Sequence, residues 1–383
     1  MSLFSSKPEL GIVFHVGSSS VSAGLMRLRR GKTPQVLHVA REDIPYRDQA
    51  QPERFLGDML DALKKVNANL ARFGFGEYET RRIFYTFSSP WAVTQTKVAV
   101  VAKPEGFTLT KKLVSSIVAE QEKLFEKEML GSNNLADKLH VLEKRVVQIK
   151  VNGEEVANPY GKKAVLAEIS LFISLMPRAV IDRVFDVSMS AYHPKQMGAY
   201  SFPLASFSAI RDVFHDQRDF AIIDVGSELS DISVIKDGLI LETASFPLGR
   251  HFLARKMARA FLMTPDEAAS LVRLYHQGHA EAALEAQLQP VIAQASIEWS
   301  AALKKTLASV SQKKAPSQIF AIIDNDFSDF FMKAITMDTN SKVTLLNFDS
   351  LRSAVEFSKT SIRDPFIAVL AAFVGRVYET KAK

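Results

Sequence analysis

The residues best suited to chemistry sit at two turns. In Phe220-Ala221-Ile222-Ile223-Asp224-Val225-Gly226-Ser227-Glu228-Leu229-Ser230-Asp231-Ile232, an apolar strand runs into an acid, then a glycine and a serine, before a second strand follows. A turn this tight aims backbone N–H groups and a hydroxyl at a phosphate, and Asp224 is placed to reach a hydrated cation or position a water. A weaker copy stands near the start, Gly11-Ile12-Val13-Phe14-His15-Val16-Gly17-Ser18-Ser19-Ser20-Val21. Gly17, Ser18, Ser19 and Ser20 in one turn, and Asp224, Gly226 and Ser227 in the other, are the candidate phosphate-facing residues. Asp224 is the one candidate metal group, acting through water. Two hairpins of one form imply two similar halves closing on a nucleotide. The competing reason for Asp224 and Gly226 is the turn itself, which selects these residue types.

Other chemistry finds little support. The chain has 383 residues, no cysteine and 8 histidines without metal-ligand spacing, so thiolate metal sites, disulfides and a Cys nucleophile are excluded. His276 and His279 flank Gly278 at a helix end, where capping or surface roles are expected. Gly-x-Ser-x-Gly and the P-loop lysine motif are both absent. The net charge of +6 is spread over short groups such as Arg27, Arg29 and Arg30, with no basic run interleaved with aromatics, so no nucleic-acid partner is expected. No apolar segment reaches the roughly 20 residues needed to span a bilayer, and the first residues lack an apolar signal core. A cytoplasmic protein is expected, recruited to the inner face of the membrane through a partner if at all. The 26 phenylalanines read as core packing, the alternative being a groove for a partner peptide.

The elements that must position these turns form an α/β pattern. Strands are expected over 11–16, 21–27, 35–40 and 82–87, with an apolar-periodic helix over 55–66 between the last two. From 88 to 180 the character changes to a small α+β module: strands over 93–101, 141–151 and 163–174, a helix over 110–125, and a second helix over 177–190, with Asn152-Gly153 as a hairpin turn. A second α/β half follows: strands over 220–225, 232–236 and 239–245, a helix from Arg250, a helix capped at Thr264-Pro265, a long helix or helix pair over 280–311, a strand over 318–323, a helix over 328–335, a strand over 343–346 and a final buried helix over 365–373. The last eight residues are expected to be a polar tail.

In order and spacing, four pieces of the chain resemble the actin-like ATPases, and among them the bacterial FtsA and PilM group. They are the opening Leu3-Phe4-Ser5-Ser6-Lys7 with the Gly11–Val21 hairpin as phosphate-1 loop, the insertion containing Val151-Asn152-Gly153-Glu154-Glu155-Val156-Ala157-Asn158-Pro159-Tyr160-Gly161, the Asp224–Ile232 hairpin as phosphate-2 loop, and Phe246-Pro247-Leu248-Gly249-Arg250-His251 with Asp266-Glu267-Ala268-Ala269 as nucleotide-facing helices. The resemblance implies a two-lobed, ribonuclease H-like α/β fold with an inserted SHS2, or 1C, module at 88–180. Subdomain 1A would comprise 1–87, 181–215 and 350–383; 2A would comprise 216–248 and 312–349; and 2B would be 249–311. It also implies ATP and Mg²⁺ between the lobes, with Gly249 joining the nucleotide-facing set, self-association into filaments, and recruitment of inner-membrane or membrane-associated assembly proteins for pilus biogenesis or cell division.

The chain departs from that family at three places. His15 stands where the phosphate-1 loop carries an Asp, and a neutral imidazole lacks the hard oxygen Mg²⁺ prefers. Ala269 (or Ser270) and Val272 stand where a Glu and a Lys contact the sugar, with Arg273 one position off. Ile322-Ile323-Asp324-Asn325-Asp326-Phe327 replaces a glycine run beside the base. The expected protein is therefore a scaffold that has lost fast ATP hydrolysis. The alternatives are a slow ATPase or sugar-kinase-like enzyme working through Asp224, and a chaperone, for which no peptide-binding domain is visible. No basic amphipathic anchor is expected after the last helix, in which respect the chain is expected to differ from FtsA.

Overall fold

The computed structural model describes residues 8–45, 51–74, 80–130, 139–276, 278–311 and 316–380. Residues 3–7, where the first resemblance begins, lie outside them. The chain opens on an antiparallel meander, β1 (Glu9–Val16), β2 (Ser20–Leu28) and β3 (Gln35–Asp43), followed by α1 (Pro52–Phe73) and β4 (Thr80–Phe87), which returns parallel beside β1. Side chains alternate along β1. Ile12, Phe14 and Val16 face α1 through Met59, Leu63 and Val66, while Val13 faces the opposite way into a second core.

The module interrupts this lobe. It comprises β5 (Val93–Thr108), α2 (Lys111–Leu130), β6 (Leu139–Val151), β7 (Glu154–Glu155) and β8 (Lys163–Pro177), in an antiparallel sheet ordered β5-β8-β6-β7. Asn152 and Gly153 both take positive φ at the β6–β7 turn, as a tight hairpin demands. The helix α2 covers one face, setting Val114, Ile117 and Phe125 over Ile169, Leu171 and Ile173.

The second helix expected in the module belongs elsewhere. In α3 (Arg178–Tyr192), Val180, Ile181 and Val184 join the core around α1, and Tyr192 donates to Asn67 Oδ1 at 3.0 Å. Two elements follow that the sequence reading passed over, β9 (Gln196–Ser201) and α4 (Phe202–Val213). β9 has no β-branched run to announce it, but Ser201-Phe202-Pro203 is a helix start with proline in the first turn.

The second lobe repeats the first. β10 (Phe220–Val225), β11 (Ser230–Lys236) and β12 (Leu239–Phe246) form its meander; α5 (Arg250–Phe261), α6 (Pro265–His276) and α7 (Ala282–Val310) follow, then β13 (Gln318–Ile323), α8 (Ser328–Asp338) and β14 (Lys342–Leu345). α7 is one helix, with Pro290 inside it. The chain returns to the first lobe through α9 (Phe348–Leu351), β15 (Glu356–Phe357) and α10 (Pro365–Thr380). The two large sheets run β15-β3-β2-β1-β4-β9 and β12-β11-β10-β13-β14, so each carries a three-strand meander and then parallel strands. Between them α4 and α10 share one core, in which Val13 and Phe84 from one sheet and Phe220, Ile222 and Phe320 from the other pack on Ala209, Ile367 and Leu370.

Residues 376–380 of the expected polar tail continue the last helix, and 381–383 lie outside the described residues. α10 runs to Thr380 because its apolar period continues through Val374 to Tyr378, whose ring lies 5.0 Å from the Arg82 guanidinium. No helix among the described residues is long and apolar enough to cross a membrane.

Candidate functional site

The two turns singled out from sequence meet at the top of the cleft between the sheets. Gly17 N–H closes the first on Ser20 O at 3.1 Å, and Gly226 N–H closes the second on Leu229 O at 3.0 Å. The tips touch directly: Ser227 N–H donates to Ser18 Oγ at 2.9 Å. A Cβ at Gly226 would lie 2.7 Å from Ser18 Oγ and displace that hydroxyl from the contact. Gly249 supports the second turn from behind, where a Cβ would come within 2.3 Å of Ser227 O. That closeness lets the first N–H groups of α5, from Arg250 and His251, donate to Gly226 O and Ser227 O, both at 2.9 Å. Glu228 turns out of the cleft to His251 at 2.9 Å and Arg255 at 2.8 Å. Burial works against its charge, but these two partners hold its pKa down at about 2.

His15 is a core residue. It is 2% exposed, stacks on Phe366 with centroids 4.4 Å apart, and lies against Phe202. Burial, and secondarily the nearby Arg41 charge, depress its pKa to about 3, so the ring is neutral. Asp224 sits across the seam from the first lobe and accepts a hydrogen bond from Ser88 Oγ at 3.0 Å on Oδ2. Its Oδ1 and the Ser227 hydroxyl are buried without a partner among the described residues. Burial, then its cross-strand neighbour Asp231, raises the Asp224 pKa well above the ordinary carboxylate range. The structure thus brings Gly17, Ser18, Ser19, Ser20, Asp224, Gly226, Ser227 and Gly249 to one seam.

Beside the turns lies a charge cluster. Arg250 is 8% exposed; it donates through Nη1 to Asp324 Oδ2 at 2.6 Å and through Nη2 to Ser19 O at 3.3 Å. Arg41 reaches the same Asp324 oxygen and donates to Asp364 Oδ2 at 3.1 Å. Asp324 occupies the loop after β13 where the sequence departs from a glycine run. Val272 is buried in the second lobe's core and Arg273 hydrogen-bonds Ser270 on its own helix at 3.0 Å.

No protein-family model matches the sequence, and no curated protein matches it. Among solved structures the chain is similar to one described as a PilM–PilN type IV pilus biogenesis complex, at 13% identity and a TM-score of 0.62, covering 96% of this chain and 98% of that one. The fold is that of the actin-like ATPases. Two further structures are similar at lower scores: ethanolamine utilization protein EutJ from Carboxydothermus hydrogenoformans (10% identity, TM-score 0.46, 97% of this chain and 92% of that one) and a Bacteroides thetaiotaomicron protein with actin-like ATPase fold (9%, 0.39, 97% and 98%).

The backbone donors of both turns are taken up within the protein. The N–H of Ser227 is committed to Ser18, those of Gly17 and Gly226 close their own turns, and the α5 N–H groups go to turn carbonyls. The two tips are joined directly by the 2.9 Å contact between Ser227 N–H and Ser18 Oγ. Among the described residues no cluster of three or more His, Asp or Glu side chains could hold a metal. Sequence reasoning missed Arg41, Asp43, Ser88 and Asp364, and it quoted Arg250 without a role. Arg41-Glu42-Asp43 at the end of an apolar strand was the available signal, but its partners lie hundreds of residues away.

A separate cavity of about 350 Å³ opens on the other side of the seam. The module contributes Phe125 and Met129, the first lobe Pro90 and Pro203, and the second lobe Asp231 and Ser245. Asp231, its pKa raised by burial, faces Ser245 and Ser89 there.

Proposed function

We propose that this chain is an actin-like adaptor of a membrane-associated bacterial assembly machine, with its nucleotide cleft given over to structure. The observation that carries this reading is the direct junction of the two turns, with Arg250 filling the space beside them. ATP hydrolysis needs a phosphate chain between those turns and a hydrated cation at an ionised acid. Here His15 is neutral, and burial raises the Asp224 pKa above the ordinary carboxylate range. The three-walled cavity, lined by Phe125, Met129 and Pro203, is then the docking place for a membrane-associated partner against the module. The likeness to a PilM–PilN complex supports the pilus arm over cell division. Filament formation stays part of the family expectation alone.

The test is site-specific photo-crosslinking in cells from Met129, which is 40% exposed at the mouth of the cavity, with mass-spectrometric identification. Adducts with an inner-membrane or membrane-associated assembly protein are expected, and none from Arg259 on the far helix α5. Adducts confined to unrelated cytosolic proteins contradict the reading.

A slow ATPase is the second reading, favoured by one observation. Asp224 Oδ1 and Ser227 Oγ are buried and unpartnered, which is how a binding site looks without its ligand.

A further inference from the structure

We propose that the cleft carries an ion-pair latch that closes the two lobes without nucleotide and thereby keeps the partner groove assembled. This inference rests on the reading of that groove as a docking place and extends it to its regulation.

The latch alternates between lobes. Asp324, from the second lobe, is held on one oxygen by two guanidinium groups: Arg250 from its own lobe at 2.6 Å and Arg41 from the first. Arg250 reaches back to the first lobe, with Nη2 at 3.3 Å from Ser19 O and 3.5 Å from Asp43 Oδ1. Asp364 fixes Arg41 in position. Its Oδ2 accepts from Arg41 and Ser22, while its Oδ1 accepts the Ile367 N–H at 3.0 Å in the first turn of α10. The side chains of Arg41, Arg250 and Asp324 are 19%, 10% and 13% exposed. Salt therefore screens them far less than a surface pair. An intramolecular carboxylate thus satisfies two arginines that face each other across an actin-like cleft, the place an anionic ligand would otherwise draw together.

Closure at the latch also builds the groove. The lobes share one core around α4 and α10, which reaches Ile240 on β12, so parting them is a rotation about that core. Next to it β12, an edge strand of the second lobe, meets β5, an edge strand of the module. Thr96 Oγ donates to Ile240 O at 3.0 Å, and Thr243 Oγ donates to Thr94 O. The groove takes one wall from each body, so rotation carries Asp231 and Ser245 away from Pro90 and Phe125. Whatever favours the closed state therefore favours docking, and by the same coupling a docked partner favours closure.

The chain has no cysteine, so paired spin labels can be placed at Asp61→Cys on α1 and Lys304→Cys on α7 of the full chain and their separation read by pulsed electron spin resonance. A single narrow distance is expected with the latch intact. Asp324→Asn keeps the side chain's shape and removes its charge; it is expected to lengthen and broaden the distance, and to lower the Met129 crosslinking yield about tenfold, as loss of one member of a buried charge set shifts a two-state equilibrium. Should Asp324→Asn lose cooperative melting, Arg41→Lys serves, because an ammonium does not reproduce the two guanidinium nitrogens that serve Asp364 and Asp324 separately. Unchanged distances in a folded variant overturn the latch. Opened lobes with undiminished crosslinking overturn the coupling. Absence of any Met129 adduct in the native chain overturns the docking reading and the coupling with it, and the distances still decide the latch.

Discussion

Glu143 offers the clearest energetic test of how the module is joined to the first lobe. It sits on β6 at a register shift that turns it inward opposite Ser174, is 6% exposed, and accepts the Ser201 N–H at 2.6 Å at the start of α4. Burial pushes its pKa up to about 7, against the opposing effect of the Ser201 hydrogen bond and the more distant Arg145. A folded-state pKa above the unfolded value means the native chain holds its proton longer, so stability falls as pH rises from the ordinary glutamate range through about 7. At ~1.4 kcal/mol per tenfold change in proton affinity, the ionised form penalises the fold by up to about 3 kcal/mol at pH 8, and by well under half of that at pH 5. Glu143→Gln keeps the acceptor for Ser201 and removes the charge. Urea midpoints should favour the variant at pH 8, with the gap shrinking by about 2–3 kcal/mol on going to pH 5. A gap independent of pH, or one that widens on acidification, would refute a buried, reluctant carboxylate at this junction.

Three further outcomes follow from the seam. Asp224→Asn should be more stable than the native chain at pH 8 and lose that advantage on acidification, because the raised pKa makes ionisation a penalty; a lower urea midpoint at pH 8 contradicts this. Gly249→Ala, whose Cβ would press on the Ser227 carbonyl, should destabilise by about 1–3 kcal/mol and more than Gly226→Ala, where the obstacle is a serine hydroxyl; the reverse order in thermal melts argues against the rigid support drawn here. His15→Asp, which restores the acid of the phosphate-1 loop, should destabilise by about 1–3 kcal/mol by burying a carboxylate beside Phe202 and Phe366, a cost only partly offset by the nearby Arg41 charge; unchanged melting would contradict the burial drawn here.

The fold was largely legible because its signals are local. The echo between Val16-Gly17-Ser18 and Val225-Gly226-Ser227 announced two lobes, and the sheets share that strand order. Strands such as β10 and β13, apolar throughout and bounded by turns, were readable for the same reason. β9 and α4 were missed because Gln196–Ser201 carries no strand-forming run, and α3 was misassigned because periodicity shows that a helix has an apolar face without showing which core receives it. The last helix runs into the expected tail because Val377 and Tyr378 continue its apolar face among polar residues. At the site, the turn residues could be picked out by type and spacing. The ion pairs could not, since Arg41 meets Asp324 and Asp364 only after both lobes are built. The acids that replace the glycine run after β13 have a structural use that the sequence does not announce: Asp324 is neutralised by two arginines.

The most direct test of the closed, self-filled cleft is calorimetric titration of the full chain with ATP and Mg²⁺. The account predicts no saturable heat at nucleotide concentrations up to about 1 mM, the range of a few kcal/mol of binding free energy. Saturable binding tighter than ~100 μM that is abolished by Asp224→Ala would contradict it.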